Sequence, residues 1–187
     1  MKLGCARESE ERSAARKRVG YTVELRTRPG QSRAEGGSNR TMAKVLVVYC
    51  SMTGNTKAAA EAVADGARGA GARVTLKTGA EAQPQDLLDC DAVALGSYDA
   101  FGYMGGGLKD FLDRAYYPTQ GHVTDKPYAA FVTHGGGGQA GQSIESLAKN
   151  FKLKKIAPVV LITGKPEGQA VADLKALGAK LAAAGGK

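Results

Sequence analysis

The chain has 187 residues, 43% of them hydrophobic and 24% charged, with a formal net charge of +8; this is about one domain, with a proper core and the balance of a soluble globular protein. No apolar run approaches the roughly 18–20 residues of a membrane span, so no membrane partner is expected. The three cysteines, Cys5, Cys50 and Cys90, form no C-x-x-C pair and there are only two histidines, which argues against a disulfide framework or a metal site and fits a reducing cytoplasm.

The charge is unevenly spread. Residues 1–41 hold ten Lys and Arg, eight of them Arg, against five acids; residues 42–187 hold sixteen, thirteen of them Lys, against thirteen acids. The change of basic residue marks a boundary. Upstream of it, no apolar stretch of about 7–15 residues offers a secretory signal, and Glu8, Glu10, Glu11, Glu24 and Glu35 are too many acids for a mitochondrial presequence. The charge alone would suit a nucleic-acid arm, but aromatic interleaving is limited to Tyr21, and no nucleic-acid partner is expected. The expectation for 1–41 is an Arg-rich, disordered extension, with Met42 as the natural beginning. Within it, "TVELRTR" (22–28) alternates enough for a short strand.

From Lys44 the elements follow in turn. "KVLVVYC" (44–50) is a nearly continuous apolar run, as expected of a parallel strand covered on both faces. Residues 55–70 are alanine-rich and strongly helix-forming. "ARVTLKT" (72–78) alternates, with Val74 and Leu76 between polar residues, and reads as a half-exposed edge strand. Residues 79–90 leave room for a turn or two of helix around Asp86–Leu88. "DAVALGS" (91–97) is another buried strand. Leu108, Phe111, Leu112 and Ala115 then fall at helical spacing. "YAAFVTH" (128–134) is a fourth strand, followed by a helix on Ile144, Leu147, Ala148 and Phe151. "PVVLIT" (158–163) is a fifth strand, at an edge because of Pro158, and Ala170, Leu174, Leu177 and Leu181 mark the last helix. This alternation predicts one doubly wound α/β domain over 42–187 with helices on both faces. Ligands of such sheets bind beyond the carboxyl ends of the strands where the strand order reverses.

Three polar loops occupy that position. "SMTGNT" places Ser51, Met52, Thr53, Gly54, Asn55 and Thr56 between a strand and a helix. A helix N-terminus offers unpaired N–H groups and a positive dipole end, and hydroxyls add neutral donors, a combination suited to one phosphate dianion. A simple N-cap needs only one or two such residues. The second loop runs through Ser97, Tyr98, Asp99, Ala100, Phe101 and Gly102 to Tyr103, with three aromatics able to wall a flat heterocycle. The third, "THGGGGQAGQS" (133–143), nearly spells a nucleotide P-loop, but Gln142 stands where the lysine belongs. Without that lysine the β/γ-phosphate clamp is missing, which excludes an NTPase. Its His134, Gly135, Gly136, Gly137 and Gly138 bring backbone close to a ligand or leave an open mouth, and His134, at the strand end, could be a hydrogen-bond donor, a proton shuttle or a capping residue.

These motifs resemble a known family. "SMTGNT" is similar to the S/T-x-T-G-x-T phosphate loop of flavodoxins, which holds the phosphate of flavin mononucleotide (FMN). "FGYMGGGLKDFLDR" and "GGGGQAGQ" are similar to loops of FMN-dependent NAD(P)H:quinone oxidoreductases of the tryptophan-repressor-binding-protein type. The resemblance spans residues 44–184. It implies a five-stranded parallel sheet in the order 2-1-3-4-5, FMN as cofactor with NAD(P)H as a donor, and a redox partner protein or a small quinone-like acceptor. It also implies Ser51, Thr53, Gly54, Asn55 and Thr56 on the phosphate, with 97–102 and 134–138 along the isoalloxazine ring, and it leaves room for an oligomer. Two departures stand out: the chain has no Trp and its third loop no aromatic, and the domain is slightly basic where flavodoxin carriers are usually acidic. The first leaves one ring face open to a second substrate; the second makes a reduced, anionic flavin less unfavourable. An enzyme, an electron carrier and a flavin-free scaffold are the three readings.

Overall fold

The structure, a computed structural model, describes residues 42–186; the expectations for 1–41, the disordered extension and the strand at 22–28, lie outside the described residues. In chain order the elements are β1 (Lys44–Tyr49), α1 (Asn55–Gly69), β2 (Arg73–Thr78), α2 (Pro84–Asp89), β3 (Ala92–Ala100) and β4 (Tyr103–Met104). They continue with α3 (Gly106–Thr119), β5 (Pro127–His134), α4 (Ala140–Asn150), β6 (Lys154–Lys155), β7 (Val160–Thr163) and α5 (Gln169–Gly185).

The apolar run of β1 is buried in all but its first residue, and successive side chains enter different cores because the strand period is two. Val45, Val47 and Tyr49 join the core built with α1 and α5. Leu46 and Val48 join the core that holds Leu87 of α2, Leu108 and Phe111 of α3 and Ile144 of α4. The sheet runs β2-β1-β3-β5, with β6 and β7 sharing the outer edge of β5, and these pairings are all parallel. The predicted order therefore holds, with two short segments filling its fifth place.

That fifth place differs in detail from the single predicted strand over 158–163. Lys155 pairs with Tyr128 and Val160 with Phe131, so the edge spends five residues where β5 spends three. The chain bulges off the ladder around Pro158, which has no N–H to contribute. A second difference lies at β3, which continues past Ser97 to Ala100 and turns into β4, an antiparallel partner at its end. The turn residues Phe101 and Gly102 both have positive φ, 55° and 85°, the backbone of a two-residue hairpin loop.

The two helices on one face cross backbone to backbone. A Cβ at Gly66 of α1 would lie 2.0 Å from the Lys175 carbonyl oxygen, and one at Gly178 of α5 would lie 2.0 Å from that of Val63. The alanines of α1 (Ala59, Ala60, Ala64, Ala67) are fully buried in the same layer, so small residues here serve close approach as well as helix propensity. Because β1, β3 and β5 run parallel, their carboxyl ends lie at one edge of the sheet. The strand order reverses between β1 and β3, and the three polar loops converge there.

Candidate functional site

The first loop leaves β1 through Cys50, whose N–H donates to the Gly96 carbonyl at 3.0 Å. It turns at Gly54, where φ is 92°, a conformation available at little cost only to glycine. The Gly54 N–H donates to Ser51 Oγ at 3.2 Å. No side chain caps α1 and its first turn carries no acid, so the N–H groups of Asn55, Thr56 and Lys57 stand at the positive end of the helix without an intrahelical partner. Met52, Thr53 and Gly54 are exposed. Lys57 leads away from the loop toward Glu61, 4.0 Å distant. Thr56 is different: it is buried, and its hydroxyl lies 2.7 Å from that of Thr133, at the end of β5.

The second loop is held by its own polar side chains. Ser97 is fully buried; its hydroxyl donates to the Tyr98 carbonyl at 2.7 Å and accepts the Gly105 N–H at 2.7 Å. The Asp99 carboxylate accepts the Gly102 N–H at 2.6 Å through one oxygen and the Ala140 N–H at 3.1 Å through the other. The side chains of these two predicted site residues are thus committed to bracing the loop. Ala100 pairs with Tyr103 across the hairpin. Phe101 projects fully into solvent and Tyr103 is 46% exposed. The Tyr98 ring lies on the backbone of Gly105, where a Cβ would come within 2.5 Å of it, and a Cβ at Gly107 would lie 3.0 Å from Cys50 Sγ. Burial and then the neighbouring Cys50 thiol push the Tyr98 phenol above its ordinary range.

The third loop carries almost no side chain. Gly135, Gly136 and Gly137 are exposed, and a Cβ at any of them would meet nothing within 4 Å. Gly138 is buried, and a Cβ there would lie 3.1 Å from Cδ2 of the His134 ring. Among the described residues, His134 Nδ1 is the buried side-chain polar atom that has no hydrogen-bond partner, an arrangement that ordinarily calls for an explanation.

The three loops are joined to one another. Thr56 reaches Thr133, Asp99 reaches Ala140, and a Cβ at Gly102 would come within 2.8 Å of Gln139 Oε1. All the predicted positions lie at this one edge. The site residues named from the motifs leave out Cys50, Thr133, Gln139 and Ser143, whose hydroxyl accepts the Met104 N–H at 3.0 Å; the last three stand in the quoted third loop, and their side-chain partners in other segments appear only in the fold. The arrangement fits a phosphate-bearing, flat ligand. Uncapped N–H donors and spare hydroxyls stand at one end, aromatics and a side-chain-free loop at the other, with an unpartnered imidazole nitrogen. Among the described residues no cluster of His, Cys, Asp or Glu is placed to hold a metal ion, and no helix is long and apolar enough to cross a membrane.

Comparison with known proteins agrees with this geometry. A family model described as Flavodoxin matches residues 47–177. The flavodoxin of Aquifex aeolicus is 39% identical over 59% of this chain and 62% of its own length. An NAD(P)H dehydrogenase (quinone) of Archaeoglobus fulgidus is 37% identical over 38% of this chain and 51% of its own length. The chain thus spans between half and two thirds of these two relatives. Among solved structures, a flavodoxin from the domain Archaea superposes with a TM-score of 0.70 at 28% identity, covering 75% of this chain and 96% of that one. With the sheet order, the phosphate-type loop and the family match in agreement, the chain belongs to the flavodoxin family of FMN flavoproteins.

Proposed function

We propose that this flavoprotein is an oxidoreductase that takes electrons from NADH or NADPH and passes them to a quinone or a similar acceptor. The flavin, when bound, supplies the hydride and electron chemistry. The chain supplies position. The N–H groups of Asn55, Thr56 and Lys57, with the hydroxyls of Ser51 and Thr53, would hold the phosphate at the N-terminus of α1. Tyr98, Ala100, Phe101 and Gly102 on one side, and His134 to Gly138 on the other, would line the ring.

The observation that carries the enzymatic reading is the third loop. Gly135, Gly136 and Gly137 project no side chain, and the space around them is open. A second substrate needs such an uncovered face beside the ring, and relatives that match 38–40% of this chain are named NAD(P)H dehydrogenase (quinone). The test is oxidation of NADH and of NADPH by the FMN-loaded protein with a benzoquinone as acceptor. Turnover well above that of an equal concentration of free FMN is expected, and turnover no faster than free FMN would remove the proposal.

A second reading, an electron carrier docking to redox partner proteins, draws on a different observation. By sequence the Aquifex aeolicus flavodoxin is matched over 62% of its length, the quinone dehydrogenases over 47–51%. In that case pyridine nucleotides are not oxidised directly, and the bound flavin is reduced only when a reductase protein is added.

A further inference from the structure

The bond between Thr56 and Thr133 joins parts of the site that are far apart in the chain. Thr56 is the second residue of α1 and Thr133 the penultimate residue of β5, with β3 between β5 and β1 in the sheet. The two hydroxyl oxygens are 2.7 Å apart, in residues only 1% and 3% exposed. Two hydroxyls carry two protons, and the bond between them uses one. Among the described residues, neither hydroxyl has a second protein partner. A threonine deep in a helix commonly turns its hydroxyl to the carbonyl four residues back; for Thr56 that residue is Met52, which lies outside the helix. One buried donor proton is therefore unspent, and with Thr133 as the donor it is that of Thr56, beside the unpaired N–H groups of the first turn.

We infer that Thr133 is a positioning residue of the phosphate cradle, acting through Thr56. It pins the first turn of α1 over the sheet, so that the N–H groups of Asn55 to Lys57 and the unspent hydroxyl proton are gathered for one phosphate before it arrives. Pre-ordering of this kind improves affinity because the cost of ordering is not met at binding. The inference rests on the FMN reading given above, and it assigns to β5 a part in holding the phosphate as well as the ring.

FMN and riboflavin differ only by the phosphate, so their affinities separate this role from general support of the site. Both would be titrated, by flavin fluorescence, into the cofactor-free wild type, Thr133→Val, Thr133→Ala and Thr133→Ser, with inorganic phosphate as competitor and urea unfolding in parallel. Loss of one buried hydrogen bond predicts that Thr133→Val weakens FMN by about tenfold or more. Riboflavin should stay within about twofold, phosphate should compete less well, and Thr133→Ser should recover most of the FMN affinity, as expected when one hydroxyl carries the effect. Thr133→Ala removes the same hydroxyl without placing a new methyl against Thr56, and it decides the matter should the valine variant not fold. Equal weakening of both flavins, or unchanged FMN binding, would overturn the inference while leaving the cofactor reading intact. A wild type that binds neither flavin would overturn both.

Discussion

The carboxylate of Asp99 accepts the backbone N–H of Ala140 at 3.1 Å, across 41 positions of chain, and so fastens the β3–β4 hairpin to the first residue of α4. Its other oxygen closes the hairpin turn on Gly102. The acid in the second loop is therefore a brace between two walls of the site. Asp99→Ala leaves both N–H groups without that acceptor and is expected to cost about 1–3 kcal/mol. Asp99→Asn, whose amide oxygen keeps one of the two bonds, should cost roughly half as much on the same scale. Urea unfolding midpoints of the three proteins check the order, and equal stability of the alanine variant and the wild type would contradict it.

Phe101 combines full exposure with a φ of 55°. A bulky side chain in the left-handed region costs on the order of 1 kcal/mol, and here no burial offsets it. Strain kept without a packing benefit points to use of the side chain at the site. Phe101→Asn, which tolerates this backbone, is expected to stabilise the cofactor-free protein by about 0.5–1 kcal/mol. The same change should weaken flavin binding or raise the KM for a quinone by several-fold. Thermal unfolding and fluorescence titration read the two effects separately; lower stability with unchanged binding and kinetics would count against this assignment.

Helix propensity and packing make opposite forecasts for the glycines of α1 and α5. By propensity alone, Gly66→Ala and Gly178→Ala should each gain about 1 kcal/mol. The new methyl, however, would lie 2.0 Å from a backbone carbonyl oxygen, which neither helix can relieve without moving off the other. Packing wins, and losses of about 1–3 kcal/mol or more are expected for each. Gly69, where an added methyl would meet nothing within 4 Å, is the control: Gly69→Ala should be neutral or stabilising by about 0.5 kcal/mol. Denaturant midpoints of the three variants settle the comparison.

Burial pushes the Cys90 thiol from an ordinary 9.0 up to about 11, against the opposing pull of the Lys126 ammonium. Below pH 9 both folded and unfolded chains keep the proton, and the shift has no effect on stability. Between about 9 and 11 the unfolded chain loses the proton while the folded one retains it, so stability falls as pH rises, by at most about 1.4 kcal/mol per unit. Cys90→Ala should flatten that part of the curve relative to the wild type. Parallel slopes in urea midpoints measured from pH 8 to 11 would show that the thiol does not carry the effect.

Much of the architecture was legible because it depends on local patterns. Continuous apolar runs such as "VLVV" mark strands covered on both faces, and the spacing of Leu108, Phe111, Leu112 and Ala115 marks a helix face; all four are buried as expected. The phosphate-type loop was legible for the same reason, since its hydroxyls and glycine are contiguous. What the order of residues could not show was where short polar side chains find their partners. Ser97, Asp99 and Thr56 each looked free to meet a ligand; in the fold, Ser97 closes its own loop, Asp99 reaches α4 and Thr56 reaches β5 over 77 positions. The bulge around Pro158 and the β3–β4 hairpin likewise depend on pairing with another segment. Apolar periodicity is a property of the chain itself, whereas a hydrogen bond between distant residues exists only once the strands have taken their places beside one another.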